Sequence, residues 1–143
     1  MKEFIGEFLG TFILVLLGDG VVAGNVLKNT KEEGTGWSSI VFGWGIACTV
    51  AVYVAGLFSP AHLNPAVTIA MAATESLAWS KVLLYIVAQL LGAMFAAVIL
   101  WLHYYPHFKE TKDSGAILGM FSTAPAIRHT LQTFLEKHLE QQF

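Results

Sequence analysis

Asn64 and Pro65 are the residues whose types and spacing are most distinctive, because they lie in a run, Gly34 to Thr74, that contains no Lys, Arg, Asp or Glu. Asn is a strong helix N-cap, and Pro suits the first helical position, where its missing N–H is not needed. The pair therefore predicts a helix that begins inside a hydrophobic zone. A helix over 65–75 would be about 16 Å long, roughly half of the hydrocarbon core of a bilayer. A half-helix that begins near the membrane midplane needs such a cap, because its first N–H groups find no water in lipid.

Two histidines and one cysteine are further residues with the chemistry for a metal site or a covalent role. His103 and His107 have the i, i+4 spacing of some metal sites, but Pro106 between them disfavours a continuous helix and no third ligand is nearby. The chain has no paired catalytic constellation. We therefore expect no metal, no cofactor and no enzymatic activity. Cys48 is the single cysteine, which excludes an internal disulfide, and its apolar surroundings predict a small buried hydrophobic side chain.

The composition predicts a membrane protein. Of the 143 residues, 55% are hydrophobic and 13% are charged, whereas a soluble domain has about 25% charged residues. The net charge of −2 gives no basic footprint for nucleic acid. Apolar runs predict spans at about 4–27, 38–57 and 81–102. The first run is longer than the apolar region of a signal peptide and is interrupted by Glu7 and Asp19, so we interpret it as an uncleaved span.

Eight contiguous residues, Ala61-His62-Leu63-Asn64-Pro65-Ala66-Val67-Thr68, resemble the first signature loop of the aquaporin and glycerol-facilitator (major intrinsic protein) family. The usual Gly before the Ala is replaced by Pro60. The resemblance implies an all-α membrane protein with three transmembrane helices and one re-entrant half-helix, which is one half of an inverted repeat. It also implies passive transport of glycerol, other small neutral solutes and water, in the branch of glycerol uptake facilitators.

The same resemblance assigns roles to individual residues. Glu7-Phe8-Leu9-Gly10-Thr11 resembles the first-helix motif whose buried Glu accepts hydrogen bonds from the signature-loop backbone; the alternative is a Glu7 at headgroup level. Independently of the resemblance, Gln89 lies within the third predicted span and is expected to form hydrogen bonds between helices as structural support, with a pore role as the alternative. Trp44, twenty residues before Asn64, corresponds to the aromatic of the selectivity constriction, with core packing or interfacial anchoring as alternatives. The resemblance implies this set of pore or substrate-binding residues: Trp44, Pro60, Ala61, His62, Leu63 and Asn64. The signature triplet is Asn64, Pro65 and Ala66.

Asp19 is left open, since it either borders the outer vestibule or is solvated near the end of its span. Residues 1–130 are expected to form the N-terminal half of a channel, with 119–130 resembling the family's long outer connection. The sequence of residues 131–143 predicts a polar tail that is atypical of the family. Its short amphipathic pattern cannot span a bilayer. We therefore expect a channel component that is incomplete as it stands. The alternative is a truncated, non-conducting fragment or an interaction subunit that assembles with other channel chains.

The expected partners are the lipid bilayer and glycerol or a similar small neutral solute. A homo-oligomer, which is a tetramer in the family, or a complementary C-terminal half is also expected. The chain is expected in the plasma membrane. The charges do not assign the orientation of the chain in the membrane. In the topology that the resemblance implies, more lysines would lie outside the cell than inside, which is opposite to the positive-inside rule.

Overall fold

A computed structural model describes residues 1–122, and all regular secondary structure in this range is helical. The helices are α1 (Lys2–Val26), α2 (Trp37–Ala55), α3 (Pro65–Ala73), α4 (Trp79–His103), α5 (Tyr105–Glu110) and α6 (Ser114–Phe121). Three of them, α1, α2 and α4, are long and apolar enough to cross a membrane. The shorter α3 is the predicted half-helix. The expected class, an all-α membrane protein with three spans and one re-entrant half-helix, is confirmed.

Helix α1 is the centre of the bundle, since both α2 and α4 pack mainly on it. Small residues allow this close approach, as is usual in bilayers. A Cβ placed on Gly92 of α4 would lie on the carbonyl oxygen of Phe8 and 3.0 Å from the backbone nitrogen of Phe12. A Cβ on Gly18 of α1 would lie 2.5 Å from the indole ring of Trp44. Both helix seams therefore depend on the absence of a side chain.

The helix boundaries differ from the predicted ones by one or two residues. Helix α2 ends at Ala55, because the N–H groups of Phe58 and Ser59 bond to the Ala55 carbonyl and close its last turn. Helix α3 ends at Ala73, and Glu75 has a φ of 61°, a left-handed conformation that stops the helix. Helix α4 is longer at both ends than the predicted span.

The prediction for Cys48 is wrong, because its side chain is exposed. The buried side of α2 carries Ile40, Ala47, Ala51 and Ala55, which recur at helical spacing. Cys48 follows Ala47 and is rotated about 100° away from that side. Hydrophobicity alone does not predict which side of α2 is buried, because apolar residues occur on all sides of this helix.

The segment after α4 packs on the end of α1. His107 Nδ1 lies 2.8 Å from the Lys28 carbonyl oxygen, and the Lys28 N–H donates to Thr111 Oγ1 at 2.9 Å. Within residues 1–122 no group of three or more His, Cys, Asp or Glu side chains could hold a metal ion. Helix α6 occupies the start of the predicted outer connection. The rest of that connection, the polar tail and the proposed domain boundary at residue 130 lie outside the described residues.

The Gly92 contact generates a stability prediction. Gly92→Ala should lower the free energy of unfolding by about 1–3 kcal/mol, because the new methyl group meets backbone atoms that cannot move aside. Gly45→Ala is the matched control, since nothing lies within 4 Å of a Cβ there. Unfolding in mixed micelles, followed by circular dichroism, measures both. Equal stability of the two variants would contradict the described α1–α4 seam.

Candidate functional site

The carboxylate of Glu7 is the centre of the candidate site. Glu7 is fully buried in α1. Its Oε1 accepts from Ser59 Oγ at 2.8 Å and from the His62 N–H at 3.0 Å. Its Oε2 accepts from the Leu63 N–H and from Gln89 Nε2, both at 2.8 Å. Each carboxylate oxygen thus has two donors, and one side chain joins α1, the loop 56–64 and α4.

Thr68 forms a second junction beside Glu7. Its Oγ1 donates to the Asn64 carbonyl at 3.1 Å and accepts from Gln89 Nε2 at 2.9 Å. His62 Nδ1 lies 3.2 Å from the same hydroxyl, and the His62 ring contacts Tyr85 with centroids 5.1 Å apart. These contacts fasten the first turn of α3 to the loop and to α4.

Sequence reasoning named Glu7 and Gln89 but missed Ser59 and Thr68. A signal was present for Thr68, because it lies four residues after Asn64, where a hydroxyl can reach the Asn64 carbonyl. Ser59 carried no such signal. Its role depends on Gly6, since a Cβ there would lie 2.7 Å from Ser59 Oγ.

The loop backbone is unusual at two positions. Ala61 and Leu63 have φ angles of 55° and 53°, in the left-handed region that residues other than glycine rarely adopt. This conformation costs on the order of 1 kcal/mol for each residue. The N–H groups of His62 and Leu63 both reach Glu7, and hydrogen bonds to a charged group contribute about 1.5–3 kcal/mol each. The carboxylate therefore stabilises a loop shape that its sequence does not favour.

The backbone carbonyls of this loop stay available. Within residues 1–122, no donor forms a hydrogen bond to the carbonyl oxygens of residues 60–63, which are Pro60, Ala61, His62 and Leu63. The carbonyl of the next residue, Asn64, is used by Thr68. Four consecutive acceptors are thus left without a donor from the described part of the chain.

Asn64 caps α3 and is exposed. Its Oδ1 accepts from the Ala66 N–H at 2.8 Å, and Pro65 occupies the first helical turn. Because the amide oxygen is used for the cap, the Nδ2 group can donate to a group outside the loop. Helix α3 extends about 14 Å from this point.

Trp44 belongs to a different contact. It lies half-buried on α2 with its indole against Gly18 of α1, in the seam between the two helices.

Asp19 follows Gly18 directly, seven residues before the end of α1, and is half-buried. It therefore lies within the span and not in the solvated turn after it. The Asp19 carboxylate accepts no hydrogen bond from residues 1–122.

The Glu7 contacts generate a second prediction. Glu7→Gln should lower the free energy of unfolding by about 2–4 kcal/mol, because the new NH₂ group faces donors and leaves them unpaired. The matched control is Glu3→Gln, one turn earlier on α1. Glu3 pairs with Lys81 at 2.9 Å near the surface, so its loss should cost less than about 1 kcal/mol. Detergent unfolding measures both variants, and similar losses would contradict the central position of Glu7.

Comparison with known proteins agrees with this geometry. The family description "Major intrinsic protein" matches residues 1–137. Over 135 residues the chain is 50% identical to glycerol uptake facilitator protein 3 of Lactiplantibacillus plantarum, covering 94% of this chain and 56% of the relative. It is 52% identical over 139 residues to the glycerol uptake facilitator protein of Streptococcus pneumoniae, covering 97% and 59%.

A solved structure, the aquaglyceroporin from Plasmodium falciparum, superimposes with a TM-score of 0.71 at 37% identity, covering 78% of this chain and 45% of that one. The chain spans about half the length of the curated relatives it matches. These relatives are named as facilitators of uptake and not as enzymes, in agreement with the prediction that no reaction is catalysed. With three apolar spans, a capped half-helix and a matching sequence, the chain belongs to the major intrinsic protein family of integral membrane channel proteins.

Proposed function

We propose that this chain forms one half of the wall of a pore for glycerol and similar small neutral solutes, with water as a further permeant. The observation that carries the proposal is the loop anchored by Glu7, which leaves the Asn64 Nδ2 group and four backbone carbonyls without a partner among residues 1–122. Irregular backbone at membrane depth is tolerated only where it is buried in protein or lines a cavity. A loop whose Ala61, His62 and Leu63 N–H groups are bonded and whose carbonyls are not fits the wall of a cavity that holds hydrogen-bonding solutes.

The proposed mechanism is passive passage without chemical conversion. Asn64 Nδ2 donates a hydrogen bond to a solute hydroxyl. The carbonyls of Pro60, Ala61, His62 and Leu63 then accept hydrogen bonds in succession. The N-terminus of α3 carries roughly half a positive charge, which repels cations. No residue takes up or releases a proton in this scheme, and no cofactor takes part.

Trp44 has the role of the constriction aromatic in this proposal. Its half-buried indole rests against Gly18, so its position is fixed by the seam between α1 and α2. A large apolar ring suits the carbon side of a polyol, while the carbonyls suit its hydroxyl side. Glu7 and Gln89 act as structural supports that hold the loop.

A pore of this kind needs a second wall. Asn64 is exposed, as are Val67 and Ile69 on the adjoining half-helix, at 42% and 47%. We propose that residues 1–130 correspond to the N-terminal half of the family's channel and that a second half covers this surface. That half is either a complementary C-terminal half or another copy of the chain in a homo-oligomer such as a tetramer. The plasma membrane is the proposed location.

The same exposed surface favours a second candidate function. A chain with an unpaired half-helix could assemble with other channel chains as a non-conducting interaction subunit. The two functions differ in whether solute crosses the membrane when the surface is covered.

Stopped-flow light scattering under a glycerol gradient tests the proposal. Liposomes carry either this chain alone or this chain with the separately produced C-terminal half of the Streptococcus pneumoniae relative. We expect faster glycerol equilibration than in empty liposomes in at least the second preparation. Asn64→Asp should abolish the increase, because Asp still caps α3 but replaces the donor with a negative charge. Glu3→Gln is the control that should conduct normally.

Two outcomes would contradict pore formation. The first is glycerol flux equal to that of empty liposomes in both preparations, although circular dichroism reports folded chains. The second is a flux that Asn64→Asp leaves unchanged. If the chains co-purify without flux, the interaction-subunit function is favoured.

A further inference from the structure

A groove of about 410 Å³ lies between α1 and α4 near the C-terminal ends of both helices. It is lined by Leu16, Leu17, Gly20, Val21, Glu32, Ile99, Leu100, His103 and Tyr104. Leu17 and Ile99 are 41% and 42% exposed, so the groove opens onto the outer surface of the helix pair. None of its residues takes part in the hydrogen bonds around Glu7, so it is a separate site.

The groove is divided into an apolar body and a polar end. The body lies along about 7 Å of α1, from Leu16 to Gly20, and faces Ile99 on α4. The polar end carries Glu32, from the turn after α1, and His103, the last residue of α4. Because the helix ends lie at the membrane surface, this polar end is at the level of the lipid headgroups.

Glu32 differs from its neighbour Glu33. Lys28 Nζ pairs with Glu33 at 2.6 Å, and this hydrogen bond raises the pKa of Lys28 and lowers the pKa of Glu33. In residues 1–122 no cation pairs with Glu32. The Glu32 carboxylate lies against the end of α1, since a Cβ placed on Gly24 would be 2.9 Å from Glu32 Oε2. Burial and, after it, this carboxylate raise the pKa of the Tyr104 hydroxyl. Within residues 1–122, a carboxylate without a cation partner and an imidazole thus line the same groove.

We propose that this groove binds a phospholipid with a primary ammonium headgroup, in the leaflet on the side opposite the N-terminus. The ammonium group pairs with Glu32, the phosphate accepts a hydrogen bond from His103, and one acyl chain lies against Leu16, Leu17 and Ile99. A cation and an anion a few bonds apart in the headgroup match a carboxylate and an imidazole at the rim. The lipid would link α1 and α4 at the end of the bundle where the Glu7 contacts do not reach.

Native mass spectrometry of the full chain, released from micelles with equal amounts of dioleoyl phosphatidylethanolamine and dioleoyl phosphatidylcholine, tests this. The two lipids differ only in methylation of the ammonium group. We expect the ethanolamine lipid to be retained about fivefold more than the choline lipid. Glu32→Gln should remove this preference, while Glu110→Gln, an exposed carboxylate outside the groove, should keep it.

A second variant tests the groove itself. Gly20→Leu should reduce retention of both lipids, because a Cβ at Gly20 fits at 3.5 Å from Leu100 and a longer side chain then fills the space. Equal retention of the two lipids by the unmodified chain would overturn the proposal. A preference that survives Glu32→Gln, or a stronger retention of dioleoyl phosphatidylglycerol, would also overturn it. None of these lipid-retention results depends on glycerol flux, which tests the proposed pore separately.

Discussion

The carboxylate of Glu7 is the interaction on which the other contacts depend. A charged group at bilayer depth is costly and is accepted only when it is paired or hydrogen-bonded. Here the cost is offset by four donors that come from the loop and from α4. Because these donors are fixed in position, the carboxylate sets how far α4 lies along α1 and where the loop crosses between them.

The shape of the loop follows from this constraint. The N–H groups of His62 and Leu63 donate to Glu7, and Ala61 and Leu63 have left-handed conformations in the same segment. Such conformations persist only where the surroundings determine them, and they are frequent at functional sites. The bonds to Glu7 use the N–H groups of His62 and Leu63, while the carbonyls of residues 60–63 accept no hydrogen bond from residues 1–122. The same contacts that hold the loop on the bundle therefore leave a row of four carbonyls, at residues 60–63, without a donor among the described residues.

The sequence predicted most of this arrangement at the level of elements. The Asn64–Pro65 pair marked the start of α3, and long apolar runs marked the three spans, because caps and hydrophobic length are local signals. The boundary errors of one or two residues arose from the last turns, where Ala55 and Glu75 end helices through backbone bonds and φ angles. Burial was harder to predict. Helix α2 is apolar on every side, so the exposure of Cys48 depends on which side meets α1.

The site was predicted only in part for a related reason. Glu7 and Gln89 are conspicuous because polar side chains are rare in spans, and the resemblance to a known motif gave Glu7 its partner. Ser59 and Thr68 are small and common, and their roles arise from three-dimensional contacts with Gly6, His62 and Gln89. Trp44 as a constriction aromatic remains a prediction, since the described contacts give only its packing on Gly18.

Amide hydrogen exchange in the chain alone, followed by NMR in micelles, tests the central claim most directly. If Glu7 holds the loop, the N–H groups of His62 and Leu63 should exchange as slowly as those inside α1 and α4, although neither residue is in a helix. Exchange of these two amides as fast as that of the exposed turn 28–36 would contradict the account.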